Sequence, residues 1–311
     1  MGCAITRAIE LDAATEVGCA LEHAESPALG RDAGLQANVE ALDVEIVERP
    51  AADSFDIMID FSTPLSTLRN IEFCRREQKA IVIGTTGMDT ELLGKIRDAA
   101  RDIPVMFSAN YSVGVNLAAM LLRTAARVMG GDTDIEIIEA HHRHKVDAPS
   151  GTALLLGQAI ADELGKDLQR DGVFCREGII GEREPGSIGF STIRGGDIAG
   201  EHSVMFIGEA ERIEITHRAT DRKIFANGAV RAAKWLSRQP AGFYDMNDVV
   251  LMGNNAWNSV HLLEEAGEYV RDAVFVDGFF VESEMPHVQR FVDAFDRSFD
   301  RKPRVLEAQG Y

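Results

Sequence analysis

Short apolar runs alternate with amphipathic stretches along about the first 110 residues. The apolar runs predict strands at Val17–Leu21, Phe55–Phe61, Ala80–Ile83 and Pro104–Phe107. Helical spacing and capping residues predict helices around Ile5–Ile9, from Pro64 to about Gln78, and from Asp89 or Thr90 to about Arg101. Short buried strands that alternate with helices predict a parallel sheet covered by helices.

The pattern changes after Ser112. Helices are predicted at Val113–Met129, Ala153–Leu164 and Phe225–Arg238, and strands at Asp134–Ala140, Gly186–Arg194, Ser203–Gly208 and Arg212–Arg218. The last two strands flank a predicted hairpin turn at Glu209–Glu211. The chain is therefore predicted to be an α/β unit followed by an α+β unit, with the Phe225–Arg238 helix packing back on the first unit.

Composition narrows the class of protein. The net charge of −18 argues against a nucleic-acid or anionic-membrane partner, which would require a basic surface. The apolar runs are far shorter than the ~20 residues of a membrane span, and the charged first 20 residues do not resemble a signal peptide. The scattered residues Cys3, Cys19, Cys74 and Cys175 are typical of reduced thiols, so we expect a cytoplasmic protein.

The run Glu139–Ala153, EAHHRHKVDAPSGTA, carries the strongest chemical signal. Its basic residues end a predicted strand, and Ser150, Gly151 and Thr152 then begin a helix. A helix start offers free N–H groups and a positive dipole end, so it binds anions. With Lys145 nearby, the run predicts a site for a small dicarboxylate, with histidine available as a proton donor or acceptor.

Two other interpretations of this run remain. The first is a zinc site formed by the histidines; against it, His141 and His142 should point to opposite faces of the strand, and no cysteine is close in sequence. The second is a solvated basic turn. A helix cap explains Ser150 but not the basic residues before it, so we predict a substrate site without a metal.

Three weaker signals follow predicted strands. Gly84–Gly87 (GTTG) and Ser108–Tyr111 (SANY) lie where α/β sheets bind ligands, at the carboxyl ends of strands. Glu22 ends an early strand, where dinucleotide-binding folds place an acid that binds the adenosine ribose. A plain turn or a surface carboxylate would explain each of these features equally well or better.

These motifs together resemble one family. The run EAHHRHKVDAPSGTA closely matches the signature of dihydrodipicolinate reductase, also called 4-hydroxy-tetrahydrodipicolinate reductase. The segments FDIMIDFSTP, VIGTTG, FSANYSVGVN, REGIIGEREPGSIGFSTIRGGDIAGEH and EITHRATDRKIFANGAVRAAKWL are also similar to that family and occur in the same order. The resemblance covers about Met1 to Val250.

The resemblance implies a fold and a reaction. It implies a Rossmann-like dinucleotide-binding domain at 1–111 completed by 223–250, and a substrate-binding and tetramerisation domain at 112–222. Members of the family use NADH or NADPH to reduce 4-hydroxy-tetrahydrodipicolinate to tetrahydrodipicolinate, with loss of water, on the diaminopimelate route to lysine. A homotetramer is expected.

The resemblance also implies roles for residues of this chain. His141 matches the catalytic proton donor or acceptor, and Lys145 matches a second proton donor. His142, Gly151 and Thr152 match substrate contacts. The positions that match coenzyme contacts are Met1, Glu22, Gly84, Thr85, Thr86, Ser108, Ala109, Asn110 and Tyr111.

The chain departs from the family pattern in three places. Only Met1-Gly2 matches the end of the glycine-rich turn, so we expect a sheet truncated at its first strand, from an internal start or an incomplete fragment. His23 stands where an arginine commonly binds the NADPH phosphate, which favours NADH. Residues 252–311 are an extra segment that resembles part of a type I periplasmic-binding-protein domain.

Competing functions follow from these departures. A chain without its coenzyme site would be a non-catalytic relic that binds ligands or assembles with other copies. The interpretation as a solute receptor rests on the last sixty residues alone. A receptor of that type would need a secretory signal, which the sequence does not show at Met1–Ala20. Another nicotinamide-dependent reductase of a cyclic imine is the remaining enzymatic alternative.

Overall fold

Two larger sheets and the helices around them form the part of the chain that the structure describes. The computed structural model describes residues 1–250, so the extra segment at 252–311 lies outside the described residues. The helices are α1 (Gly2–Glu10), α2 (Ala33–Gln36), α3 (Pro64–Arg76), α4 (Thr90–Ala99), α5 (Val113–Met129), α6 (Gly151–Glu163), α7 (Leu168–Asp171), α8 (Lys223–Leu236) and α9 (Met246–Val250). The strands are β1 (Ala20–Leu21), β2 (Ile46–Val47), β3 (Ile57–Asp60), β4 (Ala80–Ile83), β5 (Pro104–Phe107), β6 (Asp134–His141), β7 (Gly172–Val173), β8 (Ile188–Arg194), β9 (Gly200–Ile207), β10 (Arg212–Ala219) and β11 (Gly242–Tyr244).

The first larger sheet is parallel, with strand order β11-β5-β4-β3. Its strands β4 and β5 have the predicted bounds, because each is a continuous run of apolar side chains buried on both faces. Ile81, Ile83 and Val105 are fully buried between helices α3 and α4 on one side and α8 on the other. This is the Rossmann-like sheet that the sequence predicts, and its carboxyl ends meet at one edge.

The region before β3 forms a small separate sheet. Strands β1 and β2 pair in parallel over two residues each, Ala20 with Ile46 and Leu21 with Val47. The predicted strand Val17–Leu21 is therefore too long, because only its last two residues have a hydrogen-bonded partner strand. The predicted opening helix is present as α1, which packs against α8 through Ile5 and Ala8.

The second larger sheet is mixed and has the strand order β10-β9-β6-β8-β7. The predicted hairpin is confirmed, since β9 and β10 pair antiparallel across residues 208–211. Helices α5 and α6 cover one face of the sheet, where Leu122, Leu156, Ile137 and Phe206 are buried together. The α+β character that the sequence predicts is therefore confirmed as well.

Several helix boundaries differ from the prediction by a few residues. Helix α6 begins at Gly151 rather than Ala153, because Ser150 Oγ accepts a hydrogen bond from the Ala153 N–H and caps the helix at that point. Helix α8 is shifted towards the amino terminus and begins at Lys223. None of the helices within residues 1–250 has both the length and the apolar character of a membrane span.

Candidate active site

A cavity of about 350 Å³ is lined by residues in or next to strands of both larger sheets, all within Met1–Met246. It lies where β4, β5 and β6 end and where α6 begins. Its lining residues are Met1, Phe61, Gly84, Ala109, Asn110, Tyr111, His141, Lys145, Asp147, Ser150, Gly151, Thr152 and Phe225. The structure thus brings together residues that the sequence predicted for coenzyme and for substrate.

His141 is held in place by a buried carboxylate. Its Nδ1 atom lies 2.7 Å from Glu139 Oε2, and both side chains face the same side of β6. His141 is 8% exposed and Glu139 is 1% exposed, so water does not compete for this contact. The ring nitrogen Nε2 is then the nitrogen left for chemistry at the cavity.

Arg194 completes this group from the neighbouring strand β8. Its Nη1 donates to Glu139 Oε2 at 2.8 Å and its Nη2 to Glu139 Oε1 at 2.7 Å. Burial acts to raise the pKa of Glu139, but hydrogen bonds from Arg194, from His141 and from the Ser150 N–H hold the pKa below its ordinary value. Glu139 is therefore charged at neutral pH despite its burial.

His202 lies beside the same group on strand β9. Its ring contacts the His141 ring edge-on, with centroids 5.1 Å apart, and its Nε2 lies 3.0 Å from Ser150 Oγ. Burial, with a smaller contribution from the nearby His141, lowers the pKa of His202 to about 4. His202 is thus neutral at pH 7 and connects β9 to the start of α6.

Lys145 provides a positive charge at the cavity wall. Its Nζ lies 2.8 Å from Asp147 Oδ1, and its side chain is 21% exposed. The hydrogen bond from Lys145 lowers the pKa of Asp147, so that carboxylate is charged too. An incoming carboxylate would therefore compete with Asp147 for the ammonium group.

The start of α6 forms the floor of the cavity. Ser150 caps this helix of thirteen residues, and the next two residues, Gly151 and Thr152, line the cavity. A side chain added at Gly151 would meet no other atom within 4 Å, so its surroundings are open. Asn110 donates its amide N–H to Thr152 Oγ1 at 3.1 Å, which ties the end of β5 to the helix start.

His142 has different surroundings from His141. Its Nε2 lies 2.7 Å from an Arg222 guanidinium nitrogen, and it does not belong to the cavity lining among the described residues. Desolvation and the charge of Arg222 lower the pKa of His142. A substrate contact by His142 stays a prediction, since the structure places the residue beside Arg222 rather than at the cavity.

The predicted coenzyme residues after β4 and β5 divide into three groups. Gly84, Ala109, Asn110 and Tyr111 line the cavity, as does Met1. Thr85 and Ser108 are buried and bond to the protein: the Thr85 hydroxyl contacts the Ser62 N–H and the Thr67 hydroxyl, and Ser108 Oγ donates to the Asn110 carbonyl. Thr86 is exposed.

Tyr111 is almost fully buried although it is one of the residues that line the cavity. Its hydroxyl donates to the Ile83 carbonyl at 2.8 Å, and its ring packs against Phe61 with centroids 5.2 Å apart. Burial raises the pKa of this hydroxyl well above its ordinary value. Tyr111 therefore holds the ends of β4 and β5 together rather than acting as an acid or base.

Glu22 directly follows β1, as the sequence predicts for a ribose-binding acid. It lies apart from the cavity lining, and its Oε1 accepts the His23 N–H at 2.9 Å and lies 2.8 Å from His23 Nδ1. The hydrogen bonds from His23 lower the pKa of Glu22. The carboxylate is charged and about half exposed, so it remains open to a ligand.

A second cavity of about 340 Å³ lies at the start of α5 and contains none of the predicted site residues. Within residues 1–250, no cluster of three or more histidine, cysteine or acidic side chains has metal-binding geometry.

Two family models match consecutive parts of the chain. The model of the dihydrodipicolinate reductase N-terminus matches residues 1–111, and the model of its C-terminus matches residues 114–250. The chain belongs to the dihydrodipicolinate reductase family.

Two solved structures are similar to the chain, and the first of them supports the fold. A dipicolinate-bound dihydrodipicolinate reductase from Paenisporosarcina sp. TG-14 is 22% identical, with a TM-score of 0.61 over 78% of this chain and 92% of that chain. A probable dehydrogenase from Thermotoga maritima is 11% identical, with a TM-score of 0.48 over 85% of this chain and 93% of that chain.

Sequence reasoning missed three side chains of this reductase-family site. Glu139 begins the predicted signature run but was given no role, and Arg194 and His202 lie in strands far along the sequence. The alternation of β6 was the available signal, because it places Glu139 and His141 on one face of the strand. Nothing in the spacing of Arg194 or His202 indicates that they lie beside that face.

Proposed function

We propose that this chain reduces 4-hydroxy-tetrahydrodipicolinate to tetrahydrodipicolinate, with NADH or NADPH as the hydride donor, on the diaminopimelate route to lysine. The observation that carries the proposal is the single cavity lined both by the ends of β4 and β5 and by His141, Lys145 and the start of α6. Membership of the dihydrodipicolinate reductase family supports the reaction class.

The dicarboxylate would be bound by charge and by oriented N–H groups. One carboxylate lies against Gly151 and Thr152, where the helix start of α6 supplies free N–H donors and a positive dipole end. The other carboxylate replaces Asp147 as the partner of Lys145. His142 is a further substrate contact expected from the family resemblance.

Proton delivery is assigned to His141 and Lys145. Reduction of a carbon conjugated to an imine pushes negative charge onto the ring, so a positioned proton donor lowers the barrier. His141 presents Nε2 at the cavity because Nδ1 is bound to Glu139. Lys145 is the second donor, on the same cavity wall.

The coenzyme would lie along the carboxyl ends of β4 and β5. The lining residues Gly84, Ala109 and Asn110 place this part of the cavity next to the substrate residues, where a flat ring would bind. When bound, the nicotinamide supplies the hydride, while the protein orients the two reactants. Thr85, Ser108 and Tyr111 hold the strand ends in shape through their hydrogen bonds to the protein. Met1 forms part of the cavity wall, and Thr86 has an exposed hydroxyl. Glu22 would accept a hydrogen bond from the ribose hydroxyl.

The coenzyme preference is expected to favour NADH. Glu22 is charged, and the ring of His23 is engaged with it, so neither residue offers a strong partner to a 2′-phosphate. The substitution His23→Arg should raise kcat/KM for NADPH about 10-fold through a charge-assisted bond to the phosphate. A strong NADPH preference in the unsubstituted chain would contradict this assignment.

We further propose a cytoplasmic homotetramer, as the family resemblance implies. All four cysteines are free thiols in the structure, which suits a reducing compartment. The face of the second larger sheet opposite α5 and α6 carries Ile193, which is 51% exposed, and Ile138 and Met205, which are half-buried. Light scattering of the purified chain would measure the oligomeric state.

The direct test follows coenzyme oxidation by absorbance after addition of the proposed substrate. We expect NADH consumption that depends on both the chain and the substrate, and that His141→Gln abolishes. Binding of the dicarboxylate without any coenzyme oxidation would instead support the non-catalytic alternative. If the chain instead reduced a different cyclic imine in preference to this substrate, the reductase activity would be supported but the substrate assignment would be wrong.

A further inference from the structure

Glu139 lies at the centre of a buried group that joins four elements. On one side of it in the sheet lies Thr192 of β8, and on the other lies His202 of β9. Its Oε1 accepts bonds from the Ser150 N–H at 3.0 Å and from Arg194, and its Oε2 contacts His141 Nδ1 and Arg194. The carboxylate thereby connects the proposed proton donor with the start of α6 and with β8.

We propose that Glu139 and Arg194 are positioning residues that keep a proton on His141 Nδ1 throughout, so that Nε2 is the atom that takes up a proton and gives it to the substrate in the cavity. This inference rests on the proposed function for the role it gives to His141. Neither residue is assigned a contact with substrate, because both act through His141 and through the loop that carries Lys145.

The charge state of Glu139 determines the tautomer of His141. A carboxylate only accepts hydrogen bonds, so its partner Nδ1 must carry a proton. The bidentate contact with Arg194 outweighs the cost of burial and keeps the carboxylate charged. Without Arg194, burial would favour the protonated acid, which donates as well as accepts and would no longer fix the ring.

Arg194 also fixes the segment that carries the second donor. Its Nη2 donates to the Asp147 carbonyl at 2.6 Å, two residues after Lys145. The Asp147 side chain in turn binds Lys145. One guanidinium group therefore restrains the surroundings of both proposed proton donors.

The test compares two carboxylates on one strand. Glu136 also belongs to β6 and also forms a bidentate contact with an arginine, Arg176, at 2.7 and 2.9 Å. It faces the opposite side of the sheet, away from the cavity, since side chains alternate along a strand. Glu136→Gln is thus a matched control for Glu139→Gln, with the same chemical change and the same type of partner.

We expect Glu139→Gln to lower kcat about 10- to 100-fold, a part of the ~10²–10⁴-fold that a positioned proton donor contributes. The KM for NADH should stay within about 2-fold, because the coenzyme contacts are untouched. Arg194→Lys should retain intermediate activity, since one charged contact to Glu139 survives. Glu136→Gln should behave like the unsubstituted chain.

The dependence of activity on pH distinguishes the two roles, because a purely structural role of Glu139 would not shift it. The charged or titratable groups around His141 are Glu139 on β6, Arg194 on β8, His202 on β9, and Lys145 and Asp147 on the cavity wall. Removing the negative charge of Glu139 disfavours the imidazolium form of His141. The loss of activity on the alkaline side should therefore move to lower pH in Glu139→Gln and remain unchanged in Glu136→Gln.

The ring nitrogens of His141 can be observed without turnover. In a ¹⁵N-histidine-labelled chain, the His141 signals are assigned by their loss in His141→Gln, and their shifts report which nitrogen carries the proton. In the neutral ring we expect the proton on Nδ1 in the unsubstituted chain and on either nitrogen in Glu139→Gln, because the glutamine amide can donate as well as accept.

The outcomes separate this inference from the proposed function. An active wild-type chain whose Glu139→Gln variant keeps its kcat, its pH profile and its ring tautomer would overturn the positioning role and leave the proposed function intact. An inactive wild-type chain with His141 in the fixed Nδ1–H form would overturn the proposed function and keep the tautomer assignment. A neutral wild-type His141 ring with its only proton on Nε2 would overturn the inference directly.

Discussion

Under the proposed function, recognition of the dicarboxylate depends most directly on the charge of Lys145. It lies on the cavity wall and is paired with the half-exposed carboxylate of Asp147. A carboxylate of the substrate can replace Asp147 as the partner of Lys145. Without Lys145, the charge of Asp147 would repel that carboxylate. We therefore predict that the side chain of Lys145 decides whether this part of the cavity attracts or repels the substrate.

Lys145→Ala should lower kcat/KM about 10- to 100-fold, since a hydrogen bond to a charged group contributes about 1.5–3 kcal/mol. The loss leaves Asp147 without its partner and adds repulsion of the substrate. Arg143→Ala is the matched control, because it removes the same charge from the same run at an exposed position. Steady-state kinetics of both variants checks this, and equal losses in the two would contradict a specific role for Lys145.

His202 should make the stability of the fold depend on pH. Burial lowers its pKa from 6.5 to about 4, so between these values the unfolded chain binds a proton that the folded chain does not. Stability is therefore full above pH ~6.5 and falls as the pH drops towards ~4, by roughly 3 kcal/mol in total.

Denaturant unfolding of the wild-type chain and of His202→Gln between these pH values measures the effect. The variant should show a flatter dependence of unfolding free energy on pH, because the buried titrating group is gone. Parallel curves for the two proteins would show that other groups account for the acid sensitivity.

At the scale of elements, the start of α6 is capped by a side chain and, under the proposed function, also binds the substrate. Ser150 caps the helix and also contacts His202, while Thr63 caps α3 by the same kind of bond to the Ser66 N–H. Ser150→Ala and Thr63→Ala should each lower the free energy of unfolding by about 1 kcal/mol. Only Ser150→Ala should raise KM for the dicarboxylate, because only its helix faces the cavity.

Thermal unfolding combined with kinetics separates these effects. A rise in KM of similar size in both variants would mean that general loosening of the fold, rather than the helix start, weakens substrate binding.

Elements with strong periodicity were predictable from the sequence. Strands β4 and β5 and helix α5 have the predicted bounds, because long apolar or amphipathic runs leave no other way to bury their side chains. Strands of two or three residues, such as β7 and β11, were missed, since so short a segment has no periodicity. Their pairing is decided by the neighbouring strand, which local sequence does not show.

At the scale of the whole molecule, the site is assembled from distant parts of the chain. The run that contains His141 and Lys145 was recognisable because its residues are contiguous. The partners Arg194 and His202 reach Glu139 only through the pairing of β6 with β8 and β9. Register between strands depends on the complete sheet, so these partners could be found only in the folded structure.

The overall charge of −18 makes the positive groups at the cavity more important for binding an anion. An acidic surface does not attract a dianion, so the local positive groups must supply the attraction themselves. In the proposed function, Lys145 and the start of α6 would provide it next to the strand ends at which the coenzyme ring would bind. The central claim of this account is therefore that one cavity holds both reactants during hydride transfer.

Transfer of deuterium tests this claim most directly. The chain is incubated with 4-hydroxy-tetrahydrodipicolinate and with NADH deuterated at the transferable position of the nicotinamide, and the product is analysed by mass spectrometry. The account predicts that each product molecule gains one deuterium from the coenzyme, and that His141→Gln and Lys145→Ala strongly reduce the labelled product. Binding of both compounds without label in any product would contradict it.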